Sequence, residues 1–372
     1  MASSSEPSEI NIKSKRPSDS AFKQQKLPAW QPILTAGTVL PTFFVIGIAF
    51  IPVGIGLLYF SDEVKELMID YTDCESTVLE GGKPVKCADV IARNASQECN
   101  CSLNFTLDKD FDGKVYMYYG LTNFYQNHRR YVKSRDDNQL LGKLDQPPST
   151  DCSPFAFTEK TPQGDVITNG SGIMPIAPCG AIANSLFSDV LTIYSNVHQA
   201  EVTLLRTGIA WPSDKDIKFK NPKGPLKEAF AGYAKPTSWR RPVWELDLND
   251  SSNNGFENED LIVWMRTAAL PTFRKLYRRV DHSKRGYANG LPRGTYTLNV
   301  LYTYPVSSFG GTKRMILSTT SLLGGKNPFL GIAYVVVGCI CLLLGILFLF
   351  IHIKCGKSTS EMLNVTQRTP YN

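Results

Sequence analysis

The sequence lacks the residue patterns that most catalytic sites require. Its 372 residues include only four histidines, namely His128, His198, His282 and His352. They are far apart, and there is no metal-binding H-E-x-x-H spacing, no G-x-S-x-G nucleophile elbow and no D-K-T-G phosphorylation sequence of P-type pumps. Gly356-Lys357-Ser358 matches only the end of a phosphate-binding loop, because Ile351 stands where its first glycine is required. We therefore expect no catalytic residue, metal or cofactor, and no ATP hydrolysis by this chain itself.

Charge is absent from two long stretches. Residues 27–60 and 327–353 contain no Asp, Glu, Lys or Arg and are rich in large apolar residues. About 20 apolar residues in a helix cross a hydrocarbon core roughly 30 Å thick, and a backbone in lipid must satisfy its own hydrogen bonds. Both stretches are therefore predicted to be transmembrane helices. A cleaved signal peptide is disfavoured for the first stretch because it is too long and follows a charged tail.

The two spans divide the chain into five segments. We predict a cytosolic tail with an interfacial docking segment at 1–32, transmembrane helices at 33–60 and 327–353, an exoplasmic or lumenal domain at 61–326 and a second cytosolic tail at 354–372. Eight of the 40 basic residues lie in the two tails, and short flanks rich in Lys and Arg stay in the cytosol. The large loop is nearly neutral, so the net charge of +6 does not indicate nucleic-acid binding.

Six of the nine cysteines lie in the large loop: Cys74, Cys87, Cys99, Cys101, Cys152 and Cys179. An even number of cysteines in an oxidising compartment indicates three disulfides, with fifteen pairings possible. A metal or redox role for Cys99-Asn100-Cys101 is the weaker alternative, since no histidine lies nearby. Cys339, Cys341 and Cys355 lie in or beside the second span and are expected to be free, with Cys355 a candidate for palmitoylation.

Alternation of apolar and polar residues indicates β-strands in the loop. It is clearest at 295–304, where every second residue is a large apolar or aromatic one. Further strands are predicted at 114–119, 201–205, 261–265 and 314–320, and the last can pair with 295–304. A helix is predicted over 181–194 because apolar residues recur there every four positions. The sequence thus predicts an antiparallel β core with helical and irregular insertions, flanked by two transmembrane helices.

The segment before the first span mixes apolar anchors with positive charge. Phe22, Leu27 and Trp30 can lie in the membrane interface as an aromatic belt. One interpretation is a generic lipid anchor. The other is a docking strip for the cytosolic face of a partner.

Glycines recur in the second span with a period of seven. Gly331, Gly338 and Gly345 lie on one side of a helix, with about 20° of drift per step. Small residues let helix backbones approach closely, although glycine is also common in membrane helices in general. We predict that this face binds either a helix of a partner protein or the first span of this chain.

Two polar stretches have a common interpretation and a less common one. The charge run at 128–137 is typical of a solvated surface, while the alternatives are internal Arg–carboxylate pairs or a polar contact with a partner. The stretch from Asp250 begins like a calcium loop, but Leu261 occupies the position of the required glutamate. An Asn-Gly turn is the favoured interpretation there.

The loop also contains five Asn-x-Ser/Thr sequons, at Asn94, Asn100, Asn104, Asn169 and Asn249. We expect glycosylation at Asn94, Asn104, Asn169 and Asn249, because this part of the chain is predicted to face the lumen or the exterior. Asn100 is a poor acceptor between two cysteines. Asn364 is predicted to be cytosolic and unmodified.

Several ordered stretches of the chain resemble one family. They are AFKQQKLPAWQP at 21–32, YYGLTNFYQNHRRY at 118–131, IAPCGAIANS at 176–185, NNGF at 253–256 with TFRKLY at 272–277, and GGKNPFLG at 324–331. Together they resemble the cell cycle control protein fifty family, the transmembrane β-subunits of type IV P-type ATPases.

The resemblance implies a function for the chain. Family members are non-catalytic subunits that help a phospholipid flippase leave the endoplasmic reticulum and that stay bound to its catalytic α-subunit. The pump moves phosphatidylserine and phosphatidylethanolamine from the outer to the cytosolic leaflet. The expected locations are the endoplasmic reticulum, Golgi, secretory vesicles and plasma membrane, and the expected partners are the ATPase and membrane lipids. The residues alone leave open an adhesion or receptor ectodomain, or an ectoenzyme.

The resemblance also implies structural details. It predicts an antiparallel β-sandwich in the exoplasmic domain and disulfides that pair Cys74 with Cys101, Cys87 with Cys99, and Cys152 with Cys179. Asn104 matches a family glycosylation position. Two other family positions lack the acceptor pattern here, at 188–190 and 299–301.

Overall fold

A computed structural model describes residues 18–28, 35–79, 82–94, 97–158, 173–321 and 324–356. Contacts divide the chain into two compact units. One unit, which we call the span pair, comprises Met1–Ile55 with Gly331–Asn372. The other, which we call the β-domain, comprises Gly56–Leu330.

The described residues form helices and strands of very different lengths. The helices are α1 Ala36–Asp62, α2 Cys87–Arg93, α3 Arg129–Lys133, α4 Asp137–Leu140, α5 Ala181–Asn184, α6 Pro212–Ile217, α7 Leu226–Ala229, α8 Glu259–Met265 and α9 Phe329–Cys355. The strands are β1 Glu66–Asp70, β2 Cys99–Leu107, β3 Phe111–Asp112, β4 Val115–Leu121, β5 Val190–Ser195, β6 Ala200–Glu201, β7 Leu204–Leu205, β8 Phe273–Val280, β9 Gly290–Leu291, β10 Gly294–Tyr302 and β11 Lys313–Thr319. Short 3₁₀ turns connect several of them.

The two long helices, at 36–62 and 329–355, overlap the two uncharged stretches of the sequence, at 27–60 and 327–353. α1 and α9 have 27 residues each and are long and apolar enough to cross a membrane. At about 1.5 Å per residue each is about 40 Å long, more than the hydrocarbon core requires. Their length and composition indicate a membrane protein with two spans.

The β-domain is built around two antiparallel sheets. The larger has the strand order β1-β11-β4-β8-β7, the smaller has the order β2-β10-β5-β6, and β3 with β9 forms a two-stranded ribbon. Every strand pair in these sheets is antiparallel. The prediction of two terminal apolar helices flanking an antiparallel β-sandwich domain is therefore confirmed.

The sandwich core comes from alternate residues of the strands. In β10, Tyr296, Leu298, Val300 and Tyr302 are buried, as the alternation of the sequence predicts. From the larger sheet, β4 and β11 contribute Met117, Met315 and Leu317, among others. Aromatic rings fill much of the space between these layers: Tyr119, Phe187, Trp264, Tyr277 and Tyr304 contact one another.

One predicted strand pairing is wrong. The strand predicted at 314–320 exists as β11, but it pairs with β1 and β4, whereas β10 belongs to the other sheet. Alternation identifies a half-buried strand but not its neighbour. β1, which follows α1 after three residues, takes the place beside β11.

Two segments were assigned the wrong secondary structure from the sequence. The predicted helix over 181–194 is a single turn, α5, followed by strand β5, because pairing of β5 with β10 overrides the local apolar spacing. The predicted strand at 261–265 is helix α8, whose first turn is capped by the Asn258 side chain accepting a hydrogen bond from the Leu261 N–H. A short, fully buried apolar run does not distinguish helix from strand.

Candidate functional site

Two disulfides staple the start of the β-domain to the edge strand β2. Cys74 is bonded to Cys101, and Cys87, at the start of α2, is bonded to Cys99. The sulfurs of Cys74, Cys87 and Cys101 lie within 4.8 Å of one another. All three are used in disulfide bonds, so this cluster offers no thiolate to a metal.

The third disulfide lies in a separate part of the β-domain. It joins Cys152 to Cys179, and both cysteines are buried. The Gln139 side chain holds the same segment, because its amide donates to the carbonyl oxygen of Ile176 and accepts from the Cys179 N–H at 2.9 and 2.8 Å. The three observed pairs are those that the family resemblance implies.

Glycines form the contact between the two spans. A Cβ atom added at Gly54 would lie 2.9 Å from the Gly331 carbonyl oxygen, and one added at Gly338 would lie 2.8 Å from Ile51 Cγ1. A Cβ atom added at Gly345 would lie 3.4 Å from Phe44 Cζ of α1. Of the two partners predicted for this glycine face, the structure shows the first span of this chain. A partner helix would therefore contact other faces of the pair.

The predicted docking strip is only partly described. The side chains of Phe22 and Leu27 are 76% and 58% exposed. Trp30 lies outside the described residues. The two exposed apolar side chains are free to contact lipid or protein, and their assignment to partner binding stays a prediction.

The predicted glycosylation sites occupy different local settings. Asn104 is exposed on β2, where its side-chain oxygen accepts a hydrogen bond from the Thr297 hydroxyl at 2.8 Å. Asn94 and Asn249 are also exposed, at the end of α2 and in a loop. Asn169 lies outside the described residues. Modification of these four residues stays a prediction.

The charge run contains helix α3 and leads into α4, and the calcium-like stretch forms a local turn. Within the run, Arg135 Nε lies 2.9 Å from Asp137 Oδ1, and the Asp136 side chain caps α4. In the calcium-like stretch, the Asp250 carboxylate accepts hydrogen bonds from the Ser252 N–H and hydroxyl at 2.9 and 2.6 Å. Such bonds within a turn are typical of an Asx turn rather than of a cation site.

A fully buried ion pair connects the two sheets. Lys313, at the start of β11, donates from Nζ to Asp189 Oδ2 at 2.6 Å and to the Tyr304 carbonyl oxygen at 2.7 Å. Asp189 also accepts hydrogen bonds from the Thr303 and Tyr304 N–H groups and from the Tyr71 hydroxyl. Burial lowers the pKa of Lys313 to about 8, although the Asp189 carboxylate opposes this shift. Both charges are therefore compensated inside the core.

A second buried lysine has no carboxylate partner among the described residues. Lys275 Nζ donates to the carbonyl oxygens of Val263, Trp264 and Arg266 at 3.0, 2.6 and 2.6 Å, at the C-terminal end of α8. It also lies 4.9 Å from the centre of the Trp264 ring. Burial lowers the pKa of Lys275 to about 7. A positive charge here is favoured by the helix C-terminus and the ring but disfavoured by desolvation.

Sequence reasoning did not identify either lysine. Lys275 and Lys313 both occur within predicted or observed strands, where a charged residue is usually assigned to the solvated face. The only signal in the sequence is their position: each stands where the alternation of its strand requires an inward-pointing residue.

Comparison with known proteins identifies the family. The profile of the LEM3 (ligand-effect modulator 3) family / CDC50 family matches residues 57–358. The chain belongs to the CDC50 family. This CDC50 chain is 52% identical over 355 residues to cell cycle control protein 50A of Bos taurus, covering 94% of this chain and 92% of the relative.

More distant relatives extend over the same length. Cell cycle control protein 50B of Homo sapiens is 49% identical over 351 residues, covering 91% of this CDC50 chain and 94% of the relative. ALA-interacting subunit 3 of Arabidopsis thaliana is 40% identical over 357 residues, covering 95% and 90% of the two chains. The similarity therefore includes both spans and the β-domain between them.

Proposed function

We propose that this CDC50 chain is the non-catalytic accessory subunit of a type IV P-type ATPase, with which it forms a heterodimer in the membrane. The observation that carries the proposal is membership of the CDC50 family over almost the whole chain. The Arabidopsis thaliana relative, which is 40% identical, is named an interacting subunit. The absence of the catalytic motifs of pumps from this sequence agrees with an accessory role.

The architecture suits a subunit that binds a much larger membrane protein. Two spans already packed on each other offer their outer faces to a partner, and exposed apolar side chains cover those faces, for example Val45, Ile48 and Ile340. The β-domain is held together by three disulfides and a buried ion pair, so it presents a rigid surface. Binding through several zones at once raises the effective concentration of each contact.

We further propose a membrane topology and a role in lipid transport for this chain. Both termini lie in the cytosol, the β-domain lies on the exoplasmic side, and the exposed sequons at Asn94, Asn104 and Asn249 are glycosylated there. The chain supports folding of the pump and its export from the endoplasmic reticulum, and it accompanies the pump through the Golgi and secretory vesicles to the plasma membrane. The complex moves aminophospholipids to the cytosolic leaflet with energy from ATP hydrolysed by the partner.

Co-purification tests the proposal. The full chain, expressed at native level with an affinity tag and extracted in mild detergent, is expected to recover a P-type ATPase of the type IV class in equal amount by mass spectrometry. Recovery of the chain alone, with normal delivery to the cell surface in cells that lack such pumps, would instead indicate a free-standing adhesion or receptor protein. Hydrolysis of ATP by the isolated chain would contradict the non-catalytic assignment.

A further inference from the structure

A cavity of about 700 Å³ opens in the β-domain between β5 of the smaller sheet and β7 and β8 of the larger one. Ligand pockets have volumes of roughly 300–1,000 Å³ and are lined mainly by apolar side chains with a few polar groups. Four carboxylates and four guanidinium groups line this one: Glu98, Asp189, Glu201, Asp260, Arg206, Arg240, Arg241 and Arg278. The lining therefore has no net charge.

The charged groups inside the cavity are already paired. Asp260 accepts hydrogen bonds from Arg278 Nη1 at 2.5 Å and from Arg206 Nη2 at 2.9 Å. Burial alone would raise the pKa of Asp260, but the two guanidinium groups hold it below its usual value, so the carboxylate stays ionised. Asp189 is neutralised by Lys313. A ligand with a net charge would therefore leave one charge uncompensated in the interior.

The rim of the cavity differs from its interior. Glu201 and Arg241 are both exposed, and neither forms an ion pair with any residue that the structure describes. Arg240, next to Arg241, is held by Glu98 at 2.6 Å. The rim thus offers one negative and one positive side chain without an ion-pair partner among the described residues, and each can pair with an opposite charge of a ligand head group.

The interior wall is aromatic and aliphatic. Phe187, Leu191 and Tyr277 form part of it, and all three are buried or nearly so. Tyr119 stacks on Phe187 with ring centres 4.0 Å apart and is only 4% exposed. Tyr119 lines the cavity, and its hydroxyl forms no hydrogen bond with the described residues, so it is available to a ligand. Burial raises the pKa of Tyr119 well above its ordinary value, so this hydroxyl is a neutral donor.

We propose that this cavity binds a zwitterionic amphiphile with one hydrocarbon chain in its interior. The hydrocarbon chain of the ligand contacts Phe187, Leu191 and Tyr277. An uncharged oxygen of the ligand, such as an ester carbonyl, accepts a hydrogen bond from the Tyr119 hydroxyl. The head group places its phosphate at Arg241 and its amine at Glu201. A lysophospholipid and one chain of a bilayer phospholipid share this chemistry. The cavity lies within the β-domain, so binding there does not require the pump.

Photo-crosslinking of the full chain tests the binding. The chain is reconstituted without a pump in nanodiscs of phosphatidylglycerol, which is anionic, and labelled with lysophosphatidylcholine that carries a diazirine on its chain. In a separate arm the diazirine is on one chain of diacyl phosphatidylcholine. We expect labelled peptides from 186–192 or 276–278, and the arm that labels more strongly identifies the source of the ligand. Labelling confined to the spans in both arms would overturn the proposal.

Two matched variants separate binding in the cavity from binding elsewhere. Val190→Trp places a bulky ring at the cavity, where Val190 is 45% exposed, and is expected to reduce labelling to background. Val197→Trp, at a position that is 53% exposed but does not line the cavity, is the control and should label like the unaltered chain. Non-reducing gels that show all three disulfides intact establish that both variants are folded. Equal labelling of the two variants contradicts the site.

Two further measurements test the chemistry of the ligand. Tyr119→Phe removes one hydroxyl and keeps the ring, and it should weaken labelling by about two- to tenfold, the effect of one hydrogen bond. Arg241→Glu should lower labelling by the zwitterionic probe, and the double variant Arg241→Glu with Glu201→Arg should restore part of it. Labelling by a fatty acid or a monoacylglycerol probe that equals that of lysophosphatidylcholine would refute the zwitterionic head group.

Discussion

The span pair and the β-domain are stabilised by different interactions. Between α1 and α9 the contact is made by glycines and by rings such as Phe43 with Phe348, with no ion pair or disulfide among the described residues. The β-domain uses three disulfides and the buried pair Lys313–Asp189. In lipid the hydrophobic effect between helices is weak, so close backbone approach provides the stabilisation. In water a core tolerates buried charge only when it is compensated.

This contrast predicts which substitutions destabilise each unit. The span pair should be destabilised by larger side chains on the glycine face. It contains no ion pair on that face whose loss could destabilise it. The β-domain should be most sensitive to loss of one partner of a covalent or ionic pair. A substitution that alters one interaction in one unit leaves the other unit unchanged, so the other unit is an internal control.

The largest effect is expected from the buried ion pair. Lys313→Met leaves the Asp189 carboxylate buried without a counter-charge, which typically costs about 3–5 kcal/mol of folding free energy. Chemical denaturation of the full chain, followed by near-UV circular dichroism, measures the loss. The double variant Lys313→Met with Asp189→Asn removes both charges, keeps an acceptor for the Thr303 and Tyr304 N–H groups, and should regain a large part of it. A stable single variant would show that the pair does not hold the sheets together.

Loss of the isolated disulfide should have the next largest effect. Cys152→Ser with Cys179→Ser breaks the only covalent link in its part of the described β-domain, and removing a native disulfide typically costs about 2–5 kcal/mol. We expect retention in the endoplasmic reticulum, measured by glycan sensitivity to endoglycosidase H and by surface biotinylation. Serine at Cys339 is the matched control, since that cysteine is free. Normal surface delivery of the double variant would contradict the prediction.

In the span pair, added volume should have a moderate effect. Gly338→Leu forces a side chain against Ile51 and should weaken packing of the two helices by about 1–3 kcal/mol, as overpacking of cores does. Co-purification with the pump should fall while the three disulfides stay intact. Gly56→Leu, in the same helix α1 as Ile51, is the control, because a Cβ atom at Gly56 meets nothing within 4 Å. Unchanged co-purification for both variants would remove the link between helix packing and assembly.

The smallest effect is a pH dependence that only the β-domain should show. The pKa of Lys275 is lowered to about 7 in the folded state, below that of an unfolded lysine near 10.4. The unfolded state then binds more protons, so stability rises as pH increases from about 7 towards 10. Between pH 7 and 8 the gain is about 1 kcal/mol.

A variant isolates this contribution. Lys275→Met removes the titrating group, so its denaturation midpoint should rise less between pH 7 and 8 than that of the unaltered chain. Gly338→Leu, which lies outside the β-domain, should keep the full pH dependence. Identical pH profiles for Lys275→Met and the unaltered chain would exclude Lys275 as the source.

The sequence predicts the parts of this fold that depend on local periodicity. Strand β10 and both long helices follow from alternation and from the absence of charge, since each pattern has one physical explanation over its full length. Segment 181–194 was misassigned because pairing of β5 with β10 decides its second half. Segment 261–265 was misassigned because a short buried apolar run fits a helix as well as a strand, and the Asn258 cap favours the helix. Residues that act through distant partners were not found: Lys313 lies 124 positions from Asp189 in the chain.

Some features of the candidate sites could be predicted from the sequence, and others depend on how the sheets and helices pack. The six loop cysteines and the glycine period were visible in the sequence, because both depend on residue type and spacing. The cavity could not be foreseen, since its charged lining comes from residues between Glu98 and Arg278 that only the two packed sheets bring together. Which helix would fill the glycine face was also open until the packing was known.

The filled glycine face has a consequence for assembly. Because the glycine faces of α1 and α9 pack against each other, the two helices form one preassembled pair in the membrane instead of two independent segments. When the pair binds a transporter, the entropy cost of lost translational and rotational freedom applies once, to the pair, and not separately to each helix. Such a preassembled pair can dock, dissociate and redock without unfolding its own interior.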